Sequence, residues 1–159
     1  MRKYLKYFKI RRIEVYIFAK QSAFDLSVEE FPYTIKEQKL SENKTRFFIE
    51  KDGRVIHESY LYLDVFLLGL LKKRRNPVIG DCLTDSEYRG QGIYPYVINQ
   101  ISNTIVDSEK RAVYMVVNQD NESSIKGIEK AGFTKYAEIK AKRWTWIYLN
   151  KTIRYLNKN

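Results

Sequence analysis

Short runs of alternating apolar and polar residues dominate the first half of the chain. Residues 10–20 alternate loosely, which predicts a half-buried strand. Two further β-rich runs, residues 44–50 and 54–60, flank Lys51-Asp52-Gly53. Because Asp-Gly readily forms a tight turn with positive φ, the two runs predict a hairpin. The polar residues between the first strand and this hairpin are interpreted as a connection.

Longer apolar runs follow the hairpin. Residues 61–75 could form a buried helix or a strand, but their apolar positions keep helical spacing and the run ends in four basic residues. We therefore predict a helix there, since cations suit the negative end of a helix. Residues 78–84 predict a strand, and residues 95–106 predict a helix that begins at Pro95 and has one apolar face.

The last third of the chain repeats this alternation of strand and helix. The β-branched residues 112–117 predict a strand, and residues 123–130 predict a helix with Gly132 at its C-terminal cap. Residues 133–152 predict two more strands. Strands before and after two helices favour an α/β (α+β type) fold with a mixed sheet over an all-β barrel or a helix bundle.

Length and composition favour one globular domain over residues 1–159. The chain is 44% hydrophobic and 30% charged, with 7 Gly and 3 Pro, which excludes a disordered or collagen-like protein. Its longest apolar run, residues 65–71, is far shorter than the roughly 20 residues of a membrane-spanning helix. The basic N-terminus lacks the apolar stretch of a secretory signal, so we expect a cytoplasmic protein.

The single cysteine and the single histidine exclude several kinds of chemistry. Cys82 cannot form an internal disulfide, and His57 cannot supply a cluster of metal ligands, so we expect no metal site. His57 lies in a strand-like run without a neighbouring nucleophile motif and is interpreted as structural or surface-exposed. Cys82 could carry an acetyl group, but the interpretation as a buried, inert residue is favoured.

Net charge makes an anionic partner or ligand plausible. The chain carries 29 Lys plus Arg against 19 Asp plus Glu, a formal charge of +10. The basic residues stand in small groups, and a solvated basic face is the simplest explanation for them. Nucleic acid could bind the basic C-terminal segment with Trp144 or Trp146 stacking on bases. We rank this last, because no nucleic-acid motif accompanies the charge.

The most informative segment connects the strand at residues 78–84 to the following helix. It contains Arg89-Gly90-Gln91-Gly92-Ile93-Tyr94. A strand, a glycine-containing turn and a helix can present backbone N–H groups and a positive helix end to a pyrophosphate. Its glycines would let the backbone approach phosphate oxygens closely, and the arginine adds positive charge. The spacing fits neither the dinucleotide-binding fingerprint nor a Walker loop.

This loop resembles the Arg/Gln-x-x-Gly-x-Gly/Ala motif of the GNAT superfamily of acyl-CoA-dependent N-acetyltransferases. A second segment, residues 121–133, is similar to that family's Asn-x-x-Ser/Ala helix ending in Glu-Lys-x-Gly-Phe. The resemblance is firm over residues 78–133 and weak before them. It implies a single domain with a central, mainly antiparallel sheet that is splayed between two strands and flanked by helices.

The resemblance also implies different functions for the two halves of the chain. Residues 1–76 would form the variable acceptor-side half, and residues 77–159 the acetyl-CoA-binding half. Backbone amides of the loop would bind the CoA pyrophosphate, and the strand before it would pair with pantetheine. The implied cofactor-binding residues are Cys82, Leu83, Thr84, Arg89, Gly90, Gln91, Gly92, Ile93, Tyr94, Asn121 and Ser124. Asn121 and Ser124 could instead serve only the start of their helix.

Two positions depart from the family pattern. Tyr94 stands where the loop normally ends in glycine or alanine, and Ile128 replaces a tyrosine often found just before Glu-Lys. In the family, such a tyrosine can protonate the CoA thiolate that leaves during acetyl transfer, and isoleucine cannot. Tyr94, Tyr96 and Tyr114 lie near the predicted cleft and are candidates for a general acid, while water or direct release of the thiolate are alternatives.

The implied reaction is attack of a neutral amine on the acetyl thioester of acetyl-CoA. Asp81 precedes the pantetheine strand and is the candidate general base; a capping or ion-pairing role is equally compatible with its position. The sequence of residues 81–95 resembles that of a bacterial GNAT subgroup associated with surface polysaccharides. This resemblance suggests a nucleotide-linked amino sugar as the acceptor. The alternative is a catalytically inactive acyl-CoA-binding protein. The sequence is compatible with a homodimer and does not fix the oligomeric state.

Overall fold

The computed structural model describes residues 10–26, 30–144 and 147–156. Within these residues, the strands and α-helices in chain order are β1 (Arg11–Lys20), β2 (Lys36–Ser41), β3 (Lys44–Lys51), β4 (Arg54–Tyr62), β5 (Val78–Thr84), α1 (Ile93–Glu109), β6 (Val113–Asn118), α2 (Glu122–Lys130), β7 (Thr134–Trp144) and β8 (Ile147–Tyr155). Two short 3-10 helices, Phe66–Leu71 and Ser86–Tyr88, flank β5.

All eight strands belong to one sheet with the spatial order β2-β3-β4-β5-β6-β1-β7-β8. Neighbouring strands run antiparallel, except for β5 and β6, which run parallel. The predicted class, a mixed and mainly antiparallel sheet flanked by helices, is therefore confirmed. The predicted hairpin is β3 and β4, and its turn has positive φ at Asp52 (51°) and Gly53 (74°), as a tight turn of this kind requires.

The sheet has a hydrophobic core on each face. One core lies under α1 and α2 and includes Phe18, Ile79 and Met115. The other lies under the 3-10 helix Phe66–Leu71 and includes Val78 and Tyr114. Since adjacent residues of a strand point to opposite faces, β5 and β6 contribute to both cores.

The prediction of a long helix over residues 61–75 is wrong. The first two of these residues complete β4, and only Phe66–Leu71 forms a helix, of the 3-10 type. Lys72 (φ 56°) and Arg75 (φ 68°) lie in the left-handed region, which an α-helix cannot pass through. The apolar run therefore packs on the sheet as a short 3-10 helix of about two turns, and the four basic residues follow it as a loop.

Two further boundaries differ from the prediction. β2 lies in the segment that the sequence predicts as a connection. Each of its six residues is exposed, and an edge strand without a buried face shows no alternation of apolar and polar residues. α1 begins two residues before Pro95 and extends to Glu109. Proline is accepted within the first turn because an N–H there has no intrahelical acceptor.

Lys20 connects β1 to both helices from a buried position. Its Nζ donates to Ser102 Oγ of α1 at 3.1 Å and to the Ala131 carbonyl, just after α2, also at 3.1 Å. Burial lowers the pKa of Lys20 to about 8. Gly132 follows with φ 82°, and a Cβ there would lie 2.4 Å from the Phe24 ring. These contacts fix the C-terminal end of α2 against the sheet.

No helix in the described ranges is long and apolar enough to cross a membrane.

Candidate functional site

The parallel pairing of β5 and β6 ends almost as soon as it begins. It includes Val78 with Tyr114 and Ile79 with Met115. Beyond Ile79 the structure records no further pairing between these strands, so the two strands separate. The remaining edge of β5, up to Thr84, faces the resulting gap.

A β-bulge accompanies this separation. On the β4 side, the register passes from Tyr60 opposite Gly80 to Glu58 opposite Leu83. One residue of β4 therefore faces two residues of β5, Asp81 and Cys82. Asp81 has φ 48°, a left-handed conformation that aspartate tolerates better than most residues. Such a bulge bends a strand, which accounts for the departure of β5 from β6.

The gap opens into a cleft of about 490 Å³ beside the N-terminal ends of α1 and α2. Most of the cofactor residues implied by the sequence line it. These are Cys82, Leu83, Thr84, Arg89, Gly90, Gly92, Ile93, Tyr94, Asn121 and Ser124. The lining also includes Tyr88, Pro95, Ser123 and Gly127. Two predicted residues, Asp81 and Gln91, do not line it.

The loop before α1 has the properties of an anion-binding turn. Gly90 (φ 78°) and Gly92 (φ 75°) are left-handed, and a Cβ on either would meet no protein atom within 4 Å. Within the described residues, the backbone N–H groups of residues 90–94 have no protein acceptor. Unpaired amides in and just before the first turn of a helix, next to open space, suit a phosphate group.

Arg89 and Gln91 hold this loop in place in different ways. Arg89 Nε donates to the Thr84 carbonyl at 3.0 Å, so its guanidinium lies beside the end of β5. Gln91 accepts from Tyr33 Oη at 3.3 Å and donates to the Glu87 carbonyl at 3.3 Å. The Gln91 side chain therefore serves the loop rather than the cleft.

Asn121 caps α2 and also lies at the cleft. Its Oδ1 accepts from the Ser124 amide at 3.2 Å and from Ser123 Oγ at 3.2 Å, which makes it the N-cap of α2. Asn121 and Ser124 also line the cleft. A ligand in the cleft would therefore lie beside a helix start that is already ordered.

Tyr94 packs directly against α2. A Cβ built on Gly127 would lie 2.5 Å from Tyr94 Cδ1 and 2.6 Å from Cε1. The ring therefore lies on the bare Cα of Gly127. The bulky residue on α1 is accommodated because a glycine faces it on α2, and the two helices remain closely packed.

Of the three tyrosines considered as general acids, Tyr94 lines the cleft. Tyr114 is 1% exposed and belongs to the core on the opposite face of the sheet. Tyr96 stacks on Phe31, with ring centroids 3.7 Å apart. Burial raises the pKa of the Tyr94 hydroxyl well above its usual range, so the group keeps its proton. Ile128 is buried in the core under the helices.

Cys82 is poorly suited to nucleophilic catalysis. Burial raises the pKa of its thiol to about 12, and the thiol lies 3.5 Å from the Gly80 carbonyl. A thiol needs a lowered pKa or an adjacent base to attack an acyl group. The structure therefore favours the inert interpretation of this residue.

His57 is structural, as the sequence suggested. It is 1% exposed, with Nδ1 2.8 Å from Thr84 Oγ1 and Nε2 2.9 Å from Ser59 Oγ. Burial lowers its pKa to about 4, so the ring is neutral at physiological pH. The histidine links β4 to the outer end of β5, where that strand has no neighbour on the β6 side.

Asp81 lies at the start of the gap, exposed to solvent. Its Oδ2 accepts a hydrogen bond from the hydroxyl of Tyr62, whose ring packs beside the core on the face opposite α1. Burial and the neighbouring carboxylate raise the pKa of Tyr62. Within the described ranges Asp81 forms no salt bridge, so the ion-pairing role considered from the sequence has no partner here. Nothing in the sequence marked Tyr62, because it lies nineteen residues from Asp81.

The basic C-terminal segment is partly neutralised. Glu138 pairs with Lys140 at 3.1 Å and with Arg154, and hydrogen bonds from Lys140, Gln119 and Arg154 lower its pKa to about 2. Trp144 ends β7, whereas Trp146, the other residue considered for base stacking, lies outside the described residues.

Comparison with solved structures identifies the fold. A protein of Novosphingobium aromaticivorans DSM 12444, described as an acetyltransferase from the GNAT family, superposes with a TM-score of 0.61 at 15% identity, over 83% of this chain and 64% of that one. An acetyltransferase from the GNAT family of Colwellia psychrerythraea superposes with a TM-score of 0.56 at 11% identity. This match covers 80% of this chain and 54% of that one. This chain therefore spans less than two thirds of either structure. No family model and no curated protein matches it by sequence. The chain has the GNAT fold.

The contact between Tyr94 and Gly127 predicts a reversal of sign in a double-mutant cycle. Gly127→Ala should destabilise the wild type by about 1–3 kcal/mol, because the new methyl overlaps the Tyr94 ring. In a Tyr94→Ala background the same substitution should stabilise by roughly 0.5–1 kcal/mol, as alanine favours a helix interior. Urea unfolding followed by circular dichroism measures all four variants. Equal effects of Gly127→Ala in both backgrounds would show that the ring does not pack there.

Proposed function

We propose that the protein is an N-acetyltransferase that transfers the acetyl group of acetyl-CoA to a primary amine. The observation that carries this proposal is the cleft at the split between β5 and β6. It combines unpaired loop amides, the free edge of β5 and an exposed apolar side chain, Leu83, at 57% exposure. The GNAT fold of the chain supports the proposal.

The residues of the cleft fit the parts of CoA. The amides of residues 90–94 and the guanidinium of Arg89 would hold the pyrophosphate. The free edge of β5 would pair with the amides of pantetheine, and Leu83 would cover its aliphatic carbons. Asn121 and Ser124 would contact the same arm from α2. When bound, acetyl-CoA supplies an activated thioester carbon next to the bulge.

Asp81 is proposed as the general base. It would take a proton from the ammonium of the acceptor, directly or through water, so that the nitrogen lone pair can attack. The new C–N bond forms at the thioester carbon and the C–S bond breaks, so the sulfur leaves as thiolate. Backbone N–H groups on the free edge of β5 would stabilise the negative charge that develops on the carbonyl oxygen.

Tyr94 is proposed as the proton donor to the thiolate. It lines the same cleft as Cys82, and its hydroxyl is protonated at neutral pH, because burial raises its pKa. The nitrogen loses a second proton when the tetrahedral intermediate collapses to the amide, and this proton restores the hydroxyl of Tyr94. The products are an N-acetyl amide, CoA thiol and one proton released to solvent through Asp81. An active enzyme therefore does not need a tyrosine at the position of Ile128. The nucleotide-linked amino sugar remains our prediction for the acceptor.

Gly92→Glu should weaken the binding of acetyl-CoA by about tenfold or more, an effect of roughly 1.4 kcal/mol per tenfold. The new carboxylate enters the open space in front of the unpaired amides and repels phosphate. Isothermal titration calorimetry measures the dissociation constant. Gly53→Glu is the matched control, because Gly53 (φ 74°) has the same conformation and the same open surroundings on a distant hairpin turn. Equal affinities for the two variants would remove the phosphate assignment.

Asp81→Asn should lower kcat by about 100-fold, within the usual range for loss of a general base. Asparagine also tolerates left-handed φ and can accept from Tyr62, so the bulge is retained. The dissociation constant of acetyl-CoA should stay unchanged. Turnover near the wild-type rate with an unaltered pH profile would exclude Asp81 as the base. A wild type that binds acetyl-CoA but acetylates no amine would favour the inactive acyl-CoA-binding protein.

Tyr94→Phe should slow a single turnover of bound acetyl-CoA by about tenfold or more without changing its dissociation constant, since only the hydroxyl is lost. Rapid quenching of the enzyme loaded with acetyl-CoA and mixed with amine measures this step. Tyr96→Phe provides the control and should behave as wild type, because Tyr96 lies two residues further along α1 and stacks on Phe31. An unchanged rate for Tyr94→Phe would leave proton transfer to water.

A further inference from the structure

A second group of polar and aromatic residues lies on the sheet face opposite α1, next to the gap. We call it the acceptor face and define it by Lys44 of β3, Tyr60 and Tyr62 of β4, and Asp81 of β5. Lys44 is paired with Tyr62 in the β3–β4 register, which places their side chains on one face. The two tyrosine rings are stacked with centroids 6.3 Å apart.

The Lys44 ammonium lies over both rings of this face. Its Nζ is 4.3 Å from the centroid of Tyr60 and 5.1 Å from that of Tyr62. The hydroxyl of Tyr62 donates to Asp81 at the other end of the ring. Tyr62 therefore contacts a cation over its ring and a carboxylate at its hydroxyl.

A neighbouring charge pair on this face is already neutralised, whereas the charges of Lys44 and Asp81 are not. Arg46 Nη2 lies 2.8 Å from Glu58 Oε2, and Tyr60 Oη donates to the same oxygen at 3.1 Å. Within the described ranges, neither Lys44 nor Asp81 takes part in a salt bridge. A ligand with one positive and one negative group would complement both without displacing an existing pair.

The acceptor face is continuous with the gap from which the cofactor cleft opens. Asp81 and Cys82 are consecutive in the bulge, yet Cys82 packs toward the core under α1 and lines the cleft. Asp81 instead reaches the tyrosine on the other face. Asp81 and Cys82 thus lie on opposite sides of the sheet, as adjacent residues of a strand do. A second substrate could reach the gap from the acceptor face while the cleft is filled.

We propose that this face binds the acyl acceptor, and that the acceptor carries an anionic group in addition to its primary amine. The inference rests on the proposed acetyl transfer. Asp81 receives the ammonium, Lys44 binds the anion, and the rings of Tyr60 and Tyr62 contact the aliphatic or sugar carbons between them. A polycationic acceptor is disfavoured, because Lys44 would repel its second charge.

A phosphate and a carboxylate would satisfy Lys44 in the same way, so the test uses two matched pairs of amines. Glucosamine is compared with glucosamine 6-phosphate, and hexylamine with 6-aminohexanoate. The measured quantity is kcat/KM for each amine at saturating acetyl-CoA. In at least one pair, the anionic member should be preferred by about tenfold, as for a charge-assisted contact. The pair that shows the preference identifies the anion.

Lys44→Met should reduce this preference to about one, because the aliphatic contact with the rings is kept and only the charge is removed. Lys39→Met is the matched control: Lys39 lies exposed on β2, outside the acceptor face, and its loss changes the net charge of the protein equally. The control should retain the wild-type preference, which excludes a long-range effect of net charge. Calorimetry with acetyl-CoA is run on each variant to show that the cleft is intact.

The outcomes separate this inference from the proposed function. Equal kcat/KM within both pairs, or a preference that survives in Lys44→Met, would overturn the acceptor assignment while acetyl transfer stands. A wild-type protein that binds no acetyl-CoA, or that acetylates none of the four amines, would overturn the proposed transfer and the acceptor assignment with it.

Discussion

The early end of the pairing between β5 and β6 is the constraint on which the rest of the site depends. A strand in the middle of a sheet normally has all of its backbone groups paired, and an unpaired buried edge is costly. Here the pairing ends after Ile79, and the bulge at Asp81 turns the strand away. The free edge is supported from the other side, where His57 and the β4 register hold β5. The gap is thus a built feature of a rigid sheet.

The close packing of α1 and α2 is the second requirement, because both helices begin at the cleft. In this chain the small residue of the contact is Gly127 on α2, opposite Tyr94 on α1. A helix interior glycine is unfavourable in itself, so its presence is explained by the ring that lies on it. The same tyrosine also lines the cleft.

The parts of the structure that the sequence predicted are those with a local signal. The Asp52-Gly53 turn, the glycine loop before α1 and the capping Asn121 each act through their own backbone, so a few adjacent residues suffice. The strand β2 gave no signal because it has no buried face. The helix expected over residues 61–75 failed because its apolar spacing could not reveal the left-handed residues that end it.

The site required information that no single segment contains. The sequence indicates Asp81 only through its place before the predicted pantetheine strand, and it does not show the left-handed φ of Asp81, the bulge or the hydrogen bond from Tyr62. The same holds for Lys44, which meets Tyr62 only through the β3–β4 register. Asp81 and Cys82 lie on opposite faces of the sheet, as adjacent residues of a strand do, so in the proposed reaction these neighbours would contact different substrates. In that proposal the sheet separates the two ligands, which would meet at one edge without competing for one cavity.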